Sequence, residues 1–118
     1  MGSGCAPLQA QASVGFLSNN LTAAGSTQGT ALALPSDFNI VTTTAASTGV
    51  ILPAAGPQCS PGDSFIVVNH GANSLTVYPP TGGKIANGSA NAGLALASNK
   101  TGFYLHLGSG NYAASISA

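Results

Sequence analysis

Only four side chains in this sequence carry a full charge: Asp37, Asp63, Lys84 and Lys100. They amount to 3 % of 118 residues and sum to zero, whereas an ordinary soluble domain is about one quarter charged. So sparse a set constrains both the fold and the tasks open to it. Two lysines cannot neutralise a run of phosphates, so nucleic acid and acidic lipid are excluded as partners held by counterion release. Solubility must come from Ser, Thr, Asn, Gln and backbone groups. A neutral skin does not repel its own copies, which favours association with neighbours that cover part of the surface.

The apolar fraction is an ordinary 44 %, but the side chains are small, and Trp is absent. The length suits one core. No basic segment leads into an apolar run of signal-peptide length, Ala6 stands where a myristoylation signal wants Ser or Thr, and no stretch is apolar enough for a membrane-crossing helix.

Residues 1–29 are rich in Gly, Ser, Gln, Asn and Ala, with Leu8, Val14, Phe16, Leu17 and Leu21 as the only strong apolar points. This reads as an N-terminal arm that docks on something larger, with a short strand around Val14 to Leu17. Residues 30–118 read as a β domain. Period-two alternation marks Thr30–Leu34, Phe38–Thr44 and Thr48–Leu52, and a proline-rich loop follows from Pro53 to Gly62. Ser64–Asn69 and Ser74–Tyr78, joined through His70-Gly71-Ala72-Asn73, read as a hairpin. The unbroken run Phe65-Ile66-Val67-Val68 calls for a strand covered on both faces. Lys84–Ala86 is expected as a brief strand, Leu94–Ala97 and Thr101–Leu107 as a second hairpin, and Tyr112–Ile116 as the last strand. The expected fold is all-β: an antiparallel sandwich, jelly roll or barrel of eight or nine short strands.

Chemistry-bearing residues are few. Asp37 and Asp63 are the only carboxylates, His70 and His106 the only imidazoles, and Cys5 and Cys59 the only thiols. His70 and Asp63 sit where turn chemistry accounts for them. Within Phe103-Tyr104-Leu105-His106-Leu107, alternation places Tyr104 and His106 opposite Phe103, Leu105 and Leu107, and His106 reads as a surface or interface residue. No spacing suits a metal site or a carboxylate pair, so neither an enzyme nor a metal or other cofactor is expected. Cys5 and Cys59 would close a long loop if paired, although two free thiols are expected in a cytosol. The sequons at Asn20, Asn87 and Asn99 read as turns. Tyr78, Tyr104 and Tyr112 are candidates for a subunit interface or a carbohydrate platform.

Several blocks carry a resemblance: Leu21-Thr22-Ala23-Ala24-Gly25-Ser26-Thr27-Gln28-Gly29-Thr30-Ala31, Asn39-Ile40-Val41-Thr42-Thr43 and Gly49-Val50-Ile51-Leu52-Pro53-Ala54-Ala55. They continue in Pro61 to Asn69, Gly71 to Pro79, Gly83-Lys84-Ile85 and Gly108-Ser109-Gly110-Asn111-Tyr112. From Leu17 to Tyr112 the chain resembles small virion proteins of tailed bacteriophages, the capsid decoration or cement proteins and related fibre-tip modules. The loop Gly56 to Ser60, with Cys59, departs from that pattern. The resemblance implies a β-sandwich or barrel that assembles as a homotrimer on the capsid surface, made in the host bacterial cytoplasm, with the major capsid protein as partner. On that reading Leu8, Val14, Phe16 and Leu17 are shell-contact or trimer-stalk residues. The competing reading is a head- or tail-fibre tip gripping host carbohydrate through Tyr78, Tyr104 or Tyr112.

Overall fold

The structure is a computed structural model that describes residues 17–54 and 60–117. Leu8, Val14 and Phe16, and both cysteines, lie outside the described residues. Among the described residues there are nine strands: β1 (Leu17–Thr22), β2 (Leu32–Ala33), β3 (Phe38–Thr43), β4 (Thr48–Ile51), β5 (Ser64–Asn69), β6 (Leu75–Tyr78), β7 (Leu94–Leu96), β8 (Thr101–Gly108) and β9 (Asn111–Ile116). Among the described residues the only helical piece is a 3₁₀ turn at Gln28–Thr30. None of the four charged residues falls within a strand.

The strands form two open sheets, ordered β1-β3-β5-β8-β9 and β2-β4-β6-β7. Pairing corrects the antiparallel expectation, because β1, β3 and β5 run parallel to one another, as do β2, β4 and β6. Only β7, β8 and β9 add antiparallel edges, and neither sheet closes into a barrel. The first six strands alternate between the sheets, so the chain winds through three successive turns, each giving one strand to either sheet. Equivalent residues of the first two turns, such as Leu17 and Phe38 or Leu32 and Val50, stand roughly twenty positions apart, a spacing typical of solenoid repeats. Each turn leaves the smaller sheet through a proline: Pro35, Pro53, and the pair Pro79-Pro80. Proline donates nothing to a ladder, which ends the strand there.

Two expected hairpins are replaced by sheet crossings. β5 and β6 lie in different sheets, as do β7 and β8. The physical reason is a polar clasp at the end of β5. Asn69, fully buried, donates from its side-chain amide to the Asn73 carbonyl (3.0 Å) and the Leu96 carbonyl (2.9 Å), and its Oδ1 accepts the Gly71 N–H (2.9 Å). Thr44 donates its hydroxyl to the Asn73 carbonyl, and the Asn73 side chain donates to the Thr44 carbonyl. Gly71 packs so closely on Thr44 that any β-carbon there would overlap the Thr44 side chain. These bonds turn the chain from one sheet to the other instead of back along β5.

The sheets share one core built from Val41, Phe65, Val67, Tyr104 and Tyr112 of the larger sheet and Val50, Leu75, Val77 and Leu96 of the smaller, with Ala23, Leu52 and Ile85 beside them. Part of the segment read as an arm belongs to this unit, since β1 pairs with β3 and Ala23 is buried. Lys84–Ala86 contributes a single bridge, Ile85 to Tyr112, in place of a strand. Asn87 and Asn99 are in turns as expected, whereas Asn20 sits within β1 at φ 56°, where the pairing with β3 shifts register.

Candidate functional site

The alternation expected for β8 is observed, but the buried side is the more polar one. Tyr104 and His106 are buried, while Phe103 is 41 % and Leu107 58 % exposed. Two features give the polar side chains room. Gly102, without a β-carbon, lets the Tyr104 ring lie back along its own strand. His106 lies 5.0 Å from Tyr112, which in turn tilts against Phe65 at 6.1 Å. The His106 Nε2 accepts the Gly110 N–H at 3.1 Å, so the tight turn between β8 and β9 satisfies a buried imidazole nitrogen. His106 is therefore a core residue and not the surface or interface residue expected.

The tyrosines separate in the same way. The Tyr112 hydroxyl donates to the Pro53 carbonyl at 2.7 Å, and among the described residues the Tyr104 hydroxyl has no hydrogen-bond partner. Burial pushes both phenols well above the ordinary tyrosine value, and the Asp63 carboxylate adds to the effect at Tyr112. Tyr78 is half-buried and donates to the Ser26 carbonyl at 3.2 Å. A three-tyrosine carbohydrate platform is thus corrected, because two of its members are inside the core. Asp63 accepts the Ser60 N–H through Oδ2 (2.8 Å), as its turn position predicts. Partial burial, and then Asp63, raise the Asp37 carboxyl above the usual range. Among the described residues no three His, Cys, Asp or Glu side chains are placed to hold a metal ion.

What the fold does assemble is an apolar face. On the outer side of the five-stranded sheet, Leu17, Phe38, Ile66 and Phe103 are in register across four neighbouring strands. Leu17 is 62 % exposed and Phe38 38 %. Ile40 and Val68 form a second row, and Leu105 and Leu107 continue the patch along β8. No charged residue lies on these strands. The smaller sheet is different, because Ser26 and Gly93 lie against the outward side chains Tyr78 and Thr76. A separate shallow apolar cleft of about 400 Å³ runs along the proline exits, lined by Leu34, Leu52, Pro53 and Pro80.

Of the assembly contacts expected from sequence, Leu17 is in this face, and Leu8, Val14 and Phe16 lie outside the described residues. Sequence reasoning missed Phe38, Ile66, Phe103 and Leu107 as surface residues. The signal was present in Phe65-Ile66-Val67-Val68, whose apolar residues on both sides imply a cover on both sides. No family model, curated protein or solved structure matches this chain.

Proposed function

We propose that this chain is a structural virion protein that decorates the outer surface of a tailed-phage head and cements its shell, working as a homotrimer with the major capsid protein as partner. The observation that carries the reading is the uncharged, apolar outer face of the five-stranded sheet on a fold whose four charged residues all lie outside the strands. Such a surface suits permanent contact with other protein, and apolar exposure on this scale marks interaction sites. Nucleic acid, membrane and cofactor have no part in the proposal, and no catalysis is assigned. Attachment through apolar burial and backbone pairing is insensitive to ionic strength, unlike attachment through charge. Many weak contacts repeated over a shell then add by avidity.

The second reading, a fibre-tip module for host carbohydrate, rests on Tyr78 alone of the three aromatics, because Tyr104 and Tyr112 are buried. Copy number separates the two. Virions purified on a gradient and measured by quantitative mass spectrometry are expected to hold hundreds of copies, retained when salt is raised. A few copies per particle would favour the fibre tip. Absence from particles, or release by salt alone, would overturn the cement reading.

A further inference from the structure

We infer that the outer face of the five-stranded sheet is where one copy of this chain meets another, through Leu17, Phe38, Ile66, Phe103 and Leu107. The inference rests on the self-association in the function proposed above and not on the capsid partner. Three observations carry it.

The first is the inverted burial of β8. Two aromatic or aliphatic side chains, Phe103 and Leu107, point outward, while a tyrosine and a histidine with polar groups to satisfy are taken inside. In an isolated copy that arrangement leaves in water the side chains that gain most from burial. The second is β5, where Ile66 and Val68 are only half-buried on the outer side and nothing else in the described residues is layered over them. The smaller sheet, by contrast, has Ser26 and Gly93 against its outer side chains. The third is charge. No ionised group would be desolvated when two such faces meet, and a net charge of zero gives no long-range repulsion between copies.

Area agrees with the assignment. At about 4.8 Å between strands and 3.3 Å per residue, five strands of some six residues present roughly 480 Å². Two faces together come to roughly 1,000 Å², the lower bound for a specific interface. The occupant is therefore another copy of this chain, whose own face is equally neutral and apolar, as it would be if the equivalent faces of the copies gather about one symmetry axis.

The test is the native mass of the full chain by light scattering at micromolar concentration, for the wild type and for Phe103→Glu, Leu107→Lys and Ala95→Glu. The last places a charge on an exposed position of β7 in the smaller sheet. Circular dichroism and a cooperative melt establish that each variant folds, and two variants on the face guard against the loss of either. The expected result is a wild-type multimer, both face variants at the 11.4 kDa of one chain, and Ala95→Glu still a multimer. Face variants that remain multimeric would overturn the inference, as would dissociation by Ala95→Glu to the same extent. A monomeric wild type would also overturn it; failure to bind a hydrophobic dye would then assign the cover to residues 1–16. None of these outcomes depends on the presence of virions: a monomeric wild type would also remove the homotrimer from the function proposed above, whereas decoration itself is tested by copy number and salt resistance on particles, and face variants that stay multimeric would overturn this inference alone.

Discussion

Replacing Asn69 by alanine should be among the most damaging single changes in this fold, and its cost can be worked from the structure. The side chain is fully buried and makes three hydrogen bonds, two donated to the Asn73 and Leu96 carbonyls and one accepted from the Gly71 N–H. Each is worth about 1 kcal/mol net, and a buried N–H left without an acceptor costs a further ~1–3 kcal/mol. The sum, ~4–6 kcal/mol, is a large part of the ~5–15 kcal/mol by which a domain of this size is stable. With an unfolding entropy of about 2.1 cal/mol/K per residue, the midpoint should fall by roughly 15–25 °C. Thermal and urea unfolding followed by circular dichroism measure both quantities. Asn69→Asp sharpens the argument, because a carboxylate keeps the acceptor for Gly71 but faces two carbonyls it cannot donate to. It should be at least as unstable as the alanine variant at neutral pH. A loss below about 1 kcal/mol in Asn69→Ala would refute the view that this amide directs the crossing between the sheets.

Tyr104→Phe should be neutral or stabilising, since the hydroxyl lost has no partner among the described residues, whereas Tyr112→Phe gives up the bond to the Pro53 carbonyl and should cost about 1 kcal/mol. Gly102→Ala should cost about 1–3 kcal/mol by overlap with the Tyr104 ring and hydroxyl, while Gly29→Ala, where a β-carbon meets nothing, should lie near zero in the same urea assay. Both buried phenols have folded-state values raised above the unfolded one, so the stability tied to them is complete below about pH 10 and is lost as pH rises further. The phenolate absorbance of Tyr104 and Tyr112 should therefore rise in a step that coincides with alkaline unfolding, and a smooth titration of these two tyrosines in the folded state would contradict it. Asp37 also has a raised value, so its contribution is complete below the ordinary carboxylate range and is lost as pH rises through the folded value. Asp37→Asn should accordingly be the more stable protein at neutral pH, with the difference vanishing in acid.

Strand positions were readable because period-two alternation and Gly, Pro and Asn punctuation are local. Ser64–Asn69 and Phe38–Thr43 show this most clearly. Partners were not readable, because pairing is decided by bonds between distant residues. His70 to Ser74 looks like any hairpin loop until Thr44 is seen to hold Asn73. The parallel winding did leave a trace, in short apolar runs ending at Pro35, Pro53 and Pro79, but with unequal spacing between turns. For β8, alternation settled which residues share a side and left open which side is inside. That choice depended on the space above Gly102 and on the Gly110 N–H waiting for an imidazole. The apolar face was legible only indirectly, through a strand too hydrophobic on both sides to be half in water.

A chain that stacks its strands turn upon turn carries its own unit of length. Because residues on one turn pair with their equivalents on the next, a whole turn could be duplicated between β2 and β3 and meet ladders on both sides that already match it. The insertion would have to be a complete circuit, since a partial one would throw the later strands onto the wrong sheet. The three antiparallel strands β7, β8 and β9 stop this growth at the far end, which leaves the β1 and β2 side as the one where the parallel stack has room to lengthen.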